Sequence, residues 1–145
     1  ATVALGGQVC TSDHFCLGAA EMHLTPEGKK DPLLSVYDGH RGIHFNNDVA
    51  VVLPEDAVLL ARDPTGQIEA VRFAERAWGV QFHPECTPEI FDAWTIGHGE
   101  KEWQQRLPWS EAVTVAETVR RDIDTVNAEE AFAARFQELI DPEKR

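Results

Sequence analysis

Positive charge is what this chain has least of. Across 145 residues, 13 Lys and Arg stand against 25 Asp and Glu, a formal net charge of -12. A surface that acidic repels phosphate backbones, which sets nucleic acid aside as a partner unless positive charge is concentrated locally. Nothing stands out beyond short pairs such as Lys29-Lys30 and Arg120-Arg121, which read as solvated surface. No apolar run approaches transmembrane length, and the amino end lacks the basic-then-apolar layout of a signal peptide, so no membrane association is expected. Cysteine is sparse as well. Cys10, Cys16 and Cys86 are odd in number and irregular in spacing, which fits neither a zinc pattern nor a disulfide scaffold. A reducing, cytoplasmic setting is the simpler reading. Repeats, low-complexity tracts and obvious linkers are absent too.

What remains is a globular composition. Hydrophobic residues make up 43% and charged residues 26%, enough for one real core but short for two. One domain over residues 1–145, or the C-terminal part of one, is expected. Ala1 in place of an initiator methionine reads as processing, or as the loss of something upstream.

The periodicity divides the chain into strands followed by helices. Ala1–Leu5 is helix material stopped by Gly6-Gly7, too short to nucleate alone and similar to the tail of a longer helix. Gln8–Cys10 and Phe15–Thr25 predict strands, and Asp31-Pro32 opens a short helix through Leu33 and Leu34. Ile43–Phe45, Val49–Leu53, Val58–Ala61, Gln67–Phe73 and Ala77–Phe82 predict further strands, two of them joined by tight turns at Asp63–Gly66 and Glu75-Arg76. Short strands in succession imply an antiparallel portion of a sheet. Thr87 caps a helix from Pro88 to Trp94, and Gly97 and Gly99 break it before Lys101–Leu107. Ser110 caps the next helix, to Arg121. Asn127 with Glu130 fits a capping box before an apolar face of Phe132, Phe136, Leu139 and Ile140. The class is α/β.

The chemistry concentrates at Gly79-Val80-Gln81-Phe82-His83-Pro84-Glu85. An imidazole and a carboxylate two residues apart fall on one side of an extended chain, so Glu85 can orient His83 as a general base. The same spacing also fits a buried histidine with an ion-pair partner. Pro84 biases His83 toward an extended backbone. The base has no convincing nucleophile. Cys16-Leu17-Gly18 follows the polar run Thr11–Phe15 and is cut off by Pro26, leaving little room for the helix whose amino end would stabilise a thiolate. Cys86 adjoins Glu85 on the wrong side of an extended segment, and Cys10 reads as apolar filler.

His40, His44 and Asp48 recur every four residues, which on a helix would line one face for metal. Gly39, Gly42 and Asn46-Asn47 argue against a helix, and polar loop residues are the plainer reading; no metal is expected. His14, His23 and His98 have no constellation around them. Of the four tryptophans, Trp78 adjoins the base strand as sheet packing. Trp94 and Trp103 seat a helical tract, and Trp109 completes the set.

The glycine-to-glutamate run resembles the signature of class I glutamine amidotransferase domains, the triad type. Ala4-Leu5-Gly6-Gly7-Gln8-Val9, Leu53-Pro54 with Ala57–Ala61, and Thr87-Pro88-Glu89-Ile90 extend the resemblance over nearly the whole chain. The subgroup it resembles is related to the amidotransferase domain of GMP synthase. The resemblance implies a flavodoxin-like doubly wound sheet with an antiparallel portion, here missing its N-terminal strands. It makes His83 the catalytic base and Glu85 the acid that orients it, with His44 and Asp48 at the edge of the substrate pocket. The family's cysteine sits in a Gly-x-Cys-x-Gly turn before the Gly-Gly pair, so the matching residue would precede Ala1, and the nucleophile within these residues is unknown.

The implied activity is hydrolysis of glutamine to glutamate and ammonia through a cysteine thioester, with no cofactor. Implied partners are glutamine or a related amide, a second chain or upstream residues supplying the N-terminal half, and a synthetase or other acceptor of ammonia. The isolated chain is expected to be inactive. The alternative is a catalytically inactive interaction or regulatory module of the same fold.

Overall fold

The computed structural model describes residues 1–95, 108–122 and 128–141, with the side chains of His14 and Asp122 set aside. Among these, six strands precede three α-helices: β1 (Gln8–Glu21), β2 (His23–Leu24), β3 (Arg41–Val52), β4 (Val58–Arg62), β5 (Ile68–Ala74), β6 (Ala77–Val80), α1 (Pro88–Trp94), α2 (Trp109–Asp122) and α3 (Glu129–Ile140). Every pairing is antiparallel, β1 with β3 in one sheet and β2-β4-β5-β6 in the other. The antiparallel portion expected from the run of short strands is therefore present.

The periodicity predicts seven strands and the described residues hold six: two pairs of predicted strands merge into the longer β1 and β3, while the Phe15–Thr25 tract divides at Met22 and leaves His23–Leu24 as β2 in the other sheet. Gln8–Cys10 and the tract from Phe15 are one strand, as are Ile43–Phe45 and Val49–Leu53, because β1 and β3 pair across the polar residues between. An irregularity in register between Thr11 and Cys16 absorbs the mismatch. The Ala1–Leu5 tract closes a single 3-10 turn at Val3–Leu5, ended by Gly6 at φ 94.

Asp31 organises the next connection. Its buried carboxylate accepts the backbone amides of Leu33 and Leu34 and the Trp78 indole, and Arg72 lies 3.3 Å away. The short helix that follows is a 3-10 segment, Leu34–Tyr37.

Helix starts follow the sequence signals unevenly. Thr87 caps α1, with its Oγ1 accepting from the Ile90 amide and Pro88 at the first position. Ser110 does not cap α2. The helix begins at Trp109, and the Glu111 and Ala112 amides donate to the Pro108 carbonyl. α3 begins at Glu129 with Ala128 in the cap position and no side-chain cap. Asn127, Gly97, Gly99, His98, Trp103 and the Lys101–Leu107 segment lie outside the described residues. On α3, Phe132 and Leu139 face the core while Phe136 and Ile140 stay exposed.

Two apolar clusters hold the chain together. Met22, Leu33, Leu34, Tyr37, Leu60, Ala61, Ala70 and Phe82 form one, covered by Phe132 of α3. Ile43, Cys86, Phe91, Ala116 and Val119 form the other, between β1–β3 and helices α1 and α2. Phe82 belongs to the first cluster and Cys86 to the second, so the residues between them, His83 to Glu85, are pinned from both ends. No described helix is long and apolar enough to cross a membrane.

Candidate active site

The polypeptide leaves β6 at Val80 and passes between two strands before it turns. The Gln81 amide donates to the Glu69 carbonyl of β5 and the His83 amide to the Ile43 carbonyl of β3, each at 2.8 Å. Next comes a turn closed by the Cys86 amide on the His83 carbonyl, 3.2 Å. Pro84 occupies its second position, where a fixed φ near -65° is already that of a β-turn. His83 and Glu85 thus approach each other across a turn, not along an extended strand.

Their side chains meet regardless. His83 Nδ1 lies 2.7 Å from Glu85 Oε1, a full hydrogen bond. A carboxylate on Nδ1 selects the tautomer with its proton there and leaves Nε2 to accept one. The imidazole is 28% exposed, open to a reactant but not loose. Trp94, returned over the turn by α1, packs against the ring at 4.6 Å between centroids, and Phe45 packs on Trp94 in turn.

The other predicted site residues divide. His44 is on β3, beside the residue that accepts the His83 amide, and its side chain is buried against Glu69 of β5. Burial pulls the His44 imidazole down to about 4, with nearby His83 adding to the effect and Asp63 opposing it. Asp48 is exposed and accepts a hydrogen bond from Thr11 Oγ1 at 2.9 Å. His40, His44 and Asp48 gather no metal site: among the described residues no group of three or more His, Cys, Asp or Glu is placed to hold one.

Cys86 and Cys16 are both held as thiols. Cys86 is buried, donates to the Thr87 carbonyl, and is pushed up to about 12 by burial first and by Glu85 and Glu129 next. Cys16 donates to Gln67 Oε1 at 3.4 Å, and burial with Glu69 and Asp63 raises it above the ordinary thiol value. A thiol held protonated is a poor nucleophile. Cys10 is exposed.

Sequence reasoning missed Glu69. Buried to 1% exposure, it is pushed up to about 8 by burial first and by Asp63 next. The available signal was a lone carboxylate inside the apolar run Ile68, Ala70 and Val71.

The family model for glutamine amidotransferase class-I matches residues 1–97. Among curated proteins, the glutamine-hydrolysing GMP synthase of Hahella chejuensis is 41% identical over 66 residues, 45% of this chain and 11% of that protein. The corresponding protein of Marinobacter nauticus is 36% identical over 98 residues, 57% of this chain and 17% of its own length. Among solved structures, SMU.1228c superposes with a TM-score of 0.72 at 25% identity, covering 96% of this chain and 58% of that one. A glutamine amido transferase from Methylobacillus flagellatus gives 0.71 at 20% identity, covering 97% and 59%. At 20% identity the likeness carries the fold alone. The chain spans less than a fifth of these curated relatives and under two thirds of these solved structures. The α/β, flavodoxin-like class of the structural neighbours holds, and the strand pairings described within these residues are its antiparallel part.

Proposed function

This chain belongs to the class-I glutamine amidotransferase family, and from that membership we propose that it carries the base half of a glutamine-hydrolysing site. The observation that supports the reading is the 2.7 Å bond between His83 Nδ1 and Glu85 Oε1, inside the segment that the family model matches.

In this reading His83 Nε2 takes the proton of a cysteine thiol, and the thiolate attacks the side-chain amide carbon of glutamine. Backbone amides hold the oxyanion of the tetrahedral intermediate. The imidazolium returns its proton to the departing nitrogen, and ammonia leaves behind a thioester. Water, deprotonated by the same imidazole, then attacks the thioester; glutamate departs and the thiol is regenerated. Glu85 holds the ring and stabilises its charged form throughout. The nucleophile is a cysteine outside the described residues, supplied by further residues of the same polypeptide or by a second chain, because Cys16 and Cys86 are held as thiols. Ammonia passes to a synthetase-type acceptor, as the names of the curated relatives suggest. The three free cysteines support a reducing, cytoplasmic setting.

The experiment is glutamate release from glutamine by the native protein, with and without His83→Ala. Turnover that His83→Ala abolishes supports the reading. Turnover that survives it, or none with every physiological partner present, removes it. The same unactivated thiols favour the second reading, a regulatory module that kept the fold without the chemistry, and that reading predicts no turnover at all.

A further inference from the structure

Beneath the His83 turn the two sheets meet on a second imidazole and carboxylate. His44 projects from β3 and Glu69 from β5, with Nδ1 and Oε1 3.5 Å apart and the side chains only 5% and 1% exposed. Among the described residues, His44 Nε2 and both Glu69 oxygens find no hydrogen-bond partner. Polar groups buried this way weigh against folding, and apolar residues of similar volume would serve a core at least as well. The pair's location suggests what it is for. The Glu69 carbonyl accepts from the Gln81 amide, and the Ile43 carbonyl, next to His44, accepts from the His83 amide. The three residues that end in the base are therefore suspended between β5 at Glu69 and β3 at Ile43. The facing side chains of Glu69 and His44 span the two strands at the same level.

We propose that His44 and Glu69 are positioning residues for His83, a buried couple that fixes the spacing of β3 and β5 where the base segment hangs between them, and so fixes the ring against Glu85. The proposal rests on the reading of His83 as the base. Neither residue touches the reacting atoms. The groups that face the couple are Asp63 and Cys16 around Glu69, and Asp63 and His83 around His44; Glu85 and Trp94 complete the surroundings of His83.

The test reads the ring itself, through the imidazole nitrogen resonances of His83 in the full chain during a pH titration. Glu69→Leu, which removes the polar link at similar volume, should move the His83 titration midpoint by about half a pH unit or more and weaken the preference for a proton on Nδ1. Glu69→Gln should restore both. His44→Gln is read the same way as Glu69→Leu and serves if the leucine variant fails to fold. Resonances that superimpose on the wild type in whichever of these two variants folds overturn the proposal and leave the pair as packing, whatever the melting temperature does. In the native enzyme the matching readout is a fall of roughly 10- to 100-fold in kcat with KM unchanged, the scale of a misplaced catalytic group. A wild type without glutamine turnover would sink the enzymatic reading, while the resonances would still decide this one.

Discussion

The amide of His83 donates to the carbonyl of Ile43 at 2.8 Å, so His83 is held by the neighbouring sheet as well as by its own strand. With Phe82 in one core cluster and Cys86 in the other, the turn cannot shift without disturbing both. That rigidity supports the proposed role of the Glu85 contact, since a general base works within hydrogen-bond reach in one orientation.

Replacing Glu85 by Gln keeps the shape of the pair and removes its charge. In the proposed reaction the imidazolium then lacks its partner, and the ring loses its enforced tautomer. Steady-state kinetics of glutamine hydrolysis by the native protein should show a loss of roughly 100-fold or more in kcat/KM. A loss below about threefold would show that Glu85 does not orient the base.

Thiol reactivity should follow burial. Under native conditions a chromogenic disulfide should titrate exposed Cys10 quickly, Cys16 slowly and Cys86 only after denaturant is added, because Cys86 combines burial with a thiol pushed up to about 12. Rapid native labelling of Cys86, located by peptide mapping, would contradict the packing described for it.

Stability should decline as the solution becomes mildly alkaline. Glu69 titrates near 4.5 in the unfolded chain and about 8 in the folded one, so above pH 6.5 the folded state keeps a proton that the unfolded state has lost. Unfolding free energy then falls with rising pH, by on the order of 2 kcal/mol between pH 6.5 and 8. His44, lowered from 6.5 to about 4, acts on the other side: below pH 6.5 the unfolded imidazole takes a proton that the folded one refuses, and acid destabilises. Between pH 4.5 and 6.5 the two slopes oppose. Denaturant titrations of Glu69→Gln should lose the alkaline slope; an unchanged slope would assign it to another group.

Much of this was legible locally. Thr87 and Pro88 name the start of α1, and the spacing of His83 and Glu85 finds the pair. Their meeting was expected from an extended backbone, yet it depends on the Pro84 turn and the Cys86 amide, which become clear only when the backbone is traced. Glu69 and His44 were hidden for a different reason. Each is one polar residue within an apolar stretch, and their contact joins strands far apart in sequence, which no local period reports. The merging of four predicted strands into β1 and β3 is likewise a matter of pairing across polar residues, not of propensity.

Gly28 offers a check on the packing of the first cluster. A Cβ there would lie 2.0 Å from the Leu60 carbonyl oxygen, a backbone atom that cannot swing away, while the Gly28 amide donates to Thr25 Oγ1 at 3.0 Å. Gly28→Ala should lower unfolding free energy by about 1–3 kcal/mol, as overpacking does. A melting curve that overlays the wild type would show that Gly28 does not lie against the Leu60 carbonyl of β4.

His83 is proposed as the base for a cysteine outside the described residues. An electrophilic glutamine analogue, applied to the native protein and followed by mass-spectrometric mapping of the modified residue, tests it most directly. One labelled cysteine is expected, none of Cys10, Cys16 or Cys86, and His83→Ala should prevent the labelling. Labelling of Cys16, or no labelled cysteine with all physiological partners present, would contradict that role of His83.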